Sequence, residues 1–202
     1  MRILGIDPGL TRCGLGLIRI TRGRELRLVD VGVARTVAAD PIEERLLSIW
    51  QTLEDWLDRY TPEAVAIERV YVGTNVPTVT ATAQVAGLGL VAAAKLNIPV
   101  TLHTPTEMKA TVTGYGSAPK AQIQEMVRRI LKLPQAPSPA DAADALALAI
   151  THAWRASAAT DAAGKTASSA HEHMTSAQKR WAQARQQAES NQGQVIARLR
   201  RR

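Results

Sequence analysis

Residues 1–20 read MRILGIDPGLTRCGLGLIRI, and their pattern sets the architecture. An apolar run, Ile3-Leu4-Gly5-Ile6, ends on an acid, Asp7. Asp7-Pro8-Gly9 has turn composition, because proline presets φ and glycine accepts the conformations other residues avoid. An apolar, β-prone run resumes at 13–20. Another follows at 25–34, after a turn around Arg22-Gly23. Strands joined by such short turns pair antiparallel, so the first 35 residues predict a meander.

Working outward, Asp40 is expected as a helix N-cap and Pro41 as the first helical residue, with Glu43 and Glu44 in the first turn. Ile42, Leu46, Ile49, Trp50, Leu53 and Leu57 then recur at helical spacing, and Pro62 follows the end. Residues 64–67 read as a fourth strand, 78–95 as a helix rich in Ala, Thr and Gly, and 99–102 as a short fifth strand. Three helical pieces come after Thr104. The segment Gly114-Tyr115-Gly116-Ser117 separates the first from the second, at about 120–132. Pro134, Pro137 and Pro139 separate the second from the last, near 140–154. The order βββαβαβ followed by helices predicts a mixed α/β layered domain over residues 1–154.

From Ala156 the composition turns to Ala, Ser, Thr and Gln. Residues 156–173 read as a linker, and 175–192 as a polar helix around Trp181 or as disordered chain. The net charge of +7 divides unevenly. Residues 1–154 carry 16 Lys and Arg against 15 Asp and Glu, a net +1; residues 155–202 carry 9 against 3, a net +6. The tail is basic and suggests a polyanionic partner, whereas the core must meet any nucleic acid with a local patch. The chain shows no run long enough to span a bilayer and no signal peptide pattern. Its single cysteine, Cys13, excludes an internal disulfide and suits a reducing cytoplasm. No Cys/His cluster has zinc spacing.

Four acids stand inside apolar runs. Asp7 ends one strand, Glu68 ends Ala64-Val65-Ala66-Ile67, and Asp141 and Asp144 open the stretch that runs to Ile150. Any one of them alone reads as a turn, cap or first-turn residue. Together they are costly to bury without a neutralising partner. Asp141 and Asp144 are three apart and share a helix face. A hard divalent cation with oxygen ligands is the natural partner, and two such ions about 3.5–4 Å apart clamp a phosphodiester for hydrolysis. Metal-dependent phosphoryl transfer is the expected chemistry. His152 lies eleven residues after Asp141, about 16 Å along a helix, too far to join that site. His103, His171 and His173 lack ligand spacing.

The segments ILGIDPGLTRCGLGLI, AVAIERVYVGTN, AQVAGLGLVAAA, GYGSAPKAQIQEMVRRILKL and ADAADALALAITH, spanning about residues 3–152, resemble the RuvC family of bacterial Holliday-junction resolvases. The resemblance implies a ribonuclease H-like fold, with a five-stranded mixed sheet flanked by helices and a C-terminal tail outside it. It implies a homodimer with magnesium at each active site, two ions by the clamp argument, and manganese as a substitute. The family's acids fall on Asp7, Glu68, Asp141 and Asp144, as catalytic and metal-holding residues. It also implies four-way junction DNA as substrate and cooperation with the RuvA-RuvB branch-migration complex in a bacterial cytoplasm. Lys109 and Lys120 flank the Gly-rich loop and fall on family positions that contact DNA; on residue type alone they are ordinary surface lysines. Tyr71 falls where the family places an aromatic, often Phe, against the junction; this chain has no Phe. Base stacking on such a ring is worth roughly 1–3 kcal/mol, and a ring capping the core is the alternative role. The small-residue helix at 78–95 is a candidate dimer contact, or simply packs tightly on its own sheet.

Two other classes are weaker. Gly5 to Thr11 match the first phosphate loop of sugar kinases and actin-like ATPases, but the second domain and second loop of that fold are missing. A non-catalytic nucleic-acid binder would have no need of an intact set of four acids.

Overall fold

The N-terminal stretch folds as a meander. A computed structural model of the chain describes residues 1–21, 24–70 and 76–170. Strands β1 (Arg2–Asp7), β2 (Arg12–Ile20) and β3 (Leu26–Arg35) pair antiparallel in sequence order. Helix α1 (Ile42–Tyr60) crosses over to β4 (Ala64–Glu68), which lies parallel to β1. Helix α2 (Val76–Lys95) crosses to β5 (Val100–His103), parallel to β4. The sheet order is β3-β2-β1-β4-β5. Parallel neighbours need crossovers of this length, which is why the helices begin only after the meander. Helices α3 (Pro105–Thr113), α4 (Lys120–Ile130) and α5 (Ala140–Ala170) complete the described chain, and Met1–Ala156 forms one compact unit. The five-stranded mixed sheet flanked by helices is the architecture expected from the sequence.

Strand alternation divides the core. Leu4, Ile6, Val65 and Ile67 pack with Ile49, Leu53 and Trp56 of α1 and Val85 of α2. Ile3, Ala64 and Ala66 pack on the opposite face with Met108 of α3, Ile123 of α4 and Leu146 of α5. Successive strand residues point to opposite faces. Asp7 and Glu68, next in the alternation, are therefore sent to the face of α3, α4 and α5.

Helix α5 lies against the sheet at backbone distance. A Cβ at Gly5 would stand 1.9 Å from the Ala145 carbonyl oxygen, and one at Gly14 would stand 2.1 Å from that of Asp141. At Gly16 it would meet the Leu146 nitrogen at 2.6 Å. Three strand glycines thus form a groove, and the helix answers with Ala142, Ala145 and Ala149, all buried.

Several local expectations need correction. Asp40 is not the cap of α1. Pro41 takes that position with extended ψ 144, there is no side-chain cap, and the Asp40 N–H closes a turn onto Val37 O at 3.2 Å. Helix α4 stops at Ile130, short of Lys132. Lys132 adopts φ 55, and the Leu133 N–H reaches back to Arg128 O at 2.8 Å, which closes the helix end. The last helix does not end near Trp154, and the expected linker at 156–173 is helical as far as Ala170. Its alanine content, read as low complexity, is also the best helix-forming composition. The turn at Arg22-Gly23, the loop with Tyr71 and the segment 175–192 lie outside the described residues. Among the described residues no helix is long and apolar enough to cross a membrane.

Candidate active site

Asp7 and Glu68 end adjacent parallel strands, one step beyond the paired residues Ile6 and Ile67. The glycine groove holds the first turn of α5 directly over them, with Asp141 and Asp144 on it. Asp144 is 8% exposed, while Asp7 and Glu68 are half-buried. The electrostatics show how closely the acids crowd. The Asp7 carboxyl is pushed up to about 8, first by burial and then by Glu68, Asp144 and Asp141. Glu68 is pushed up to about 7, again first by burial and then by Asp144. Asp144 is raised by burial although Lys120 opposes the shift. Burial and like charge acting together are the pattern of a candidate functional cluster.

Two lysines, from α4 and α3, partly answer this charge. Lys120 Nζ stands 3.5 Å from Asp144 Oδ2 and is largely exposed. It is the first residue of α4, where a cation opposes the helix dipole, so its position favours an incoming anion rather than the helix. Lys109 comes from α3, whose start is fixed by a capping box. The Thr104 side chain accepts from the Glu107 N–H at 3.2 Å, and Glu107 Oε2 accepts from the Thr104 N–H at 2.9 Å. Lys109 opposes the shifts at both Glu68 and Asp144, so it too faces the cluster. The expected patch of Lys109 and Lys120 therefore assembles beside the acids. Arg128 and Arg129 instead pair with Glu125, and Lys132 with Glu25, as a solvated face should.

On the other side Arg12 Nε donates to Asp141 Oδ2 at 2.8 Å. Sequence reasoning missed Arg12. The signal was present: antiparallel pairing of β1 and β2 puts the start of β2 beside the end of β1. Gly9 holds that connection tight, since a Cβ there would meet the Arg12 carbonyl oxygen at 2.3 Å. Also unforeseen is the contact of His103 and His152, whose rings are edge-to-face with centroids 5.7 Å apart. Burial lowers both pKa values, so the pair is neutral and belongs to the packing rather than to the acids.

The donor set fits a hard divalent cation, being all carboxylate oxygen, with four acids against the three cations Lys109, Lys120 and Arg12. Among the described residues no three such side chains yet stand close enough to grip one ion. Asp141 is held by Arg12 and Asp144 is approached by Lys120. Tyr71 lies outside the described residues.

The model of the family described as crossover junction endodeoxyribonuclease RuvC matches residues 3–152. The chain belongs to the RuvC family. A RuvC from Leifsonia xyli subsp. xyli is 58% identical over 155 residues, covering 77% of this chain and 74% of that protein. One from Paenarthrobacter aurescens is 50% identical over 188 residues, covering 93% of this chain and 97% of the relative. Among solved structures, the T. thermophilus RuvC in complex with a Holliday junction substrate superposes with a TM-score of 0.73 at 37% identity, covering 77% of this chain and 94% of that one. The 188-residue alignment reaches well into the tail, which the sequence resemblance did not.

Proposed function

We propose that this RuvC family chain is a structure-selective endonuclease that resolves four-way DNA junctions by paired symmetric nicks. The convergence of Asp7, Glu68, Asp141 and Asp144 on one face of the sheet carries the reading. A binding module gains nothing from crowding acids where DNA phosphates must approach; a metal-dependent nuclease requires it.

Asp7, Glu68, Asp141 and Asp144 would hold magnesium, two ions per site by the donor count, with manganese able to replace it. When bound, the metal supplies an activated water and stabilises the leaving oxygen. Lys120 and Lys109 take the scissile phosphate from the opposite side, and Lys120 balances charge that develops on it. Tyr71, three residues beyond Glu68, stacks on a base at the junction centre. A junction has near two-fold symmetry, and a C2 homodimer offers two sites in matching orientation. The family supports cooperation with the RuvA-RuvB complex and a bacterial cytoplasmic setting. Residues 1–154 constitute the nuclease domain and 155–202 a basic tail.

The test is a synthetic four-way junction beside a linear duplex of the same sequence, with and without magnesium. Symmetric, magnesium-dependent nicks confined to the junction are expected. Junction binding without nicking under magnesium or manganese would leave only a binding role.

A further inference from the structure

Next to Asp141 and outside the acid cluster lies an open pocket of about 500 Å³, bordered by Gly9, Thr11, Arg12, Arg45, Thr82 and Asp141. We propose that it seats a backbone phosphate adjacent to the one that is cut, with Arg45 as its fixed cation; this rests on the junction-nicking reading above.

Arg45 is a half-buried guanidinium that pairs with no acid among the described residues. Its Nε donates to Thr36 Oγ1 at 2.9 Å and its Nη2 to Thr11 Oγ1 at 2.9 Å. The Thr36 hydroxyl in turn donates to the Leu10 carbonyl at 2.6 Å, so its lone pairs are turned to the arginine. The Thr36 N–H bonds Thr11 O at 3.1 Å and ties the same loop to β3. The two threonines set the direction of the guanidinium and leave its charge unopposed. Several other arginines pair with acids, Arg59 with Asp55 and Arg128 and Arg129 with Glu125. A partly buried charge held by neutral acceptors calls for a counter-ion from outside. The planar fork of arginine suits a phosphate, which it can grip through two N–H groups.

Position identifies which phosphate. The pocket shares Asp141 with the catalytic cluster, and phosphates on one strand rise only about 3.4 Å per nucleotide. A strand whose scissile phosphate lies between the acids and Lys120, running toward Asp141, brings a neighbour to this rim. Arg12 borders both places. While Asp141 has no cation, Arg12 holds it at 2.8 Å. Once Asp141 turns to a cation, the Arg12 fork is free for the phosphate in the pocket. Thr82 closes the far side from α2 with a hydroxyl donor.

Binding is measured in EDTA, so that metal chemistry is absent, on junctions carrying one neutral methylphosphonate at each phosphate flanking the cut. The full-length protein should lose about tenfold in affinity at one flanking position, the scale of a charge-assisted hydrogen bond. Arg45→Gln should lose about tenfold on the unmodified junction and be indifferent to that methylphosphonate. Its slope of log affinity against log salt should be smaller by about 0.9, the value of one phosphate contact. Should Arg45→Gln fold poorly, Thr82→Glu places a negative charge in the same pocket from a helix surface and is expected to give the same signature. A methylphosphonate response equal in wild type and variants, or an unchanged salt slope, overturns the subsite. A flat scan on a wild type that nicks junctions also overturns it, and points instead to a free anion in the pocket. A wild type that neither binds nor nicks junctions overturns the junction reading itself.

Discussion

Asp7 illustrates how a strand end becomes reactive. In the unfolded chain its carboxyl titrates at an ordinary 3.8 and that of Glu68 at 4.5; folded, they move to about 8 and about 7. Between roughly pH 4 and 8 the folded protein therefore binds more protons than the unfolded one, and stability falls as pH rises. The contribution of these acids is whole below the unfolded values and is lost as pH passes through 7 and 8. His103 and His152, with lowered values, act in the opposite sense and weaken the fold only as pH falls below about 6.5. In EDTA the melting temperature should accordingly drop from pH 6.5 to 8.5. Magnesium should raise it more at pH 8.5 than at 6.5, because protons compete for the same oxygens. Thermal melts by fluorescence at both pH values check this; equal magnesium shifts would mean that the raised carboxyls are not the metal ligands. Asp7→Asn should abolish nicking, retain junction binding in a mobility assay, and flatten the decline toward pH 8.5. Normal nicking by that variant would remove Asp7 from the catalytic set.

At the scale of elements, the groove of Gly5, Gly14 and Gly16 decides whether the acids meet. An added methyl at Gly14 runs into the backbone of Asp141 itself, so Gly14→Ala has to lift the start of α5. Overpacking of this kind costs roughly 1–3 kcal/mol. Chemical denaturation should show that loss, and nicking should fall further than the folded fraction does, since the displaced residue is a proposed metal ligand. Gly87, within α2, is the control: nothing lies within 4 Å of its added Cβ, and Gly87→Ala should stabilise by about 0.5–1 kcal/mol. This groove also explains which parts of the fold were legible in the sequence. Strands and helices announced themselves by period, and Asp7 and Glu68 by interrupting apolar runs. The approach of α5 is a relation between glycines near residue 10 and alanines near residue 145, and no local pattern encodes such a distance. The α1 cap was misread because Asp40-Pro41 fits two registers, and the extended backbone of Pro41 selects the other one. Arg12 and Arg45 were passed over because a surface arginine looks the same in sequence whether it faces an acid or lacks one.

For the whole molecule, charge is arranged in two tiers. The unit Met1–Ala156 is nearly neutral in sum, and on the proposed reading it would meet DNA through placed cations, Lys109 and Lys120 on one side of the acids and Arg12 and Arg45 on the other. The net +6 of residues 155–202 has no such placement in the argument for cutting. Among the described residues the last buried one on α5 is Ala153, and Arg155 still ties α5 to Glu107 of α3 at 2.6 Å. A chain ending at Ala156 therefore keeps the described packing contacts that position Asp141 and Asp144. Its nick positions and single-turnover rate on a saturating junction should match those of the full chain. Affinity contributed by a basic tail is counter-ion release, which does not distinguish a junction from a duplex. Removing it should thus weaken binding to both by the same factor, a factor that shrinks as salt rises. Titrations of junction and linear duplex at two salt concentrations measure the ratio directly. A shortened chain that loses junction preference, rather than affinity alone, would show that the tail reads the shape of the junction and belongs to the specific interface.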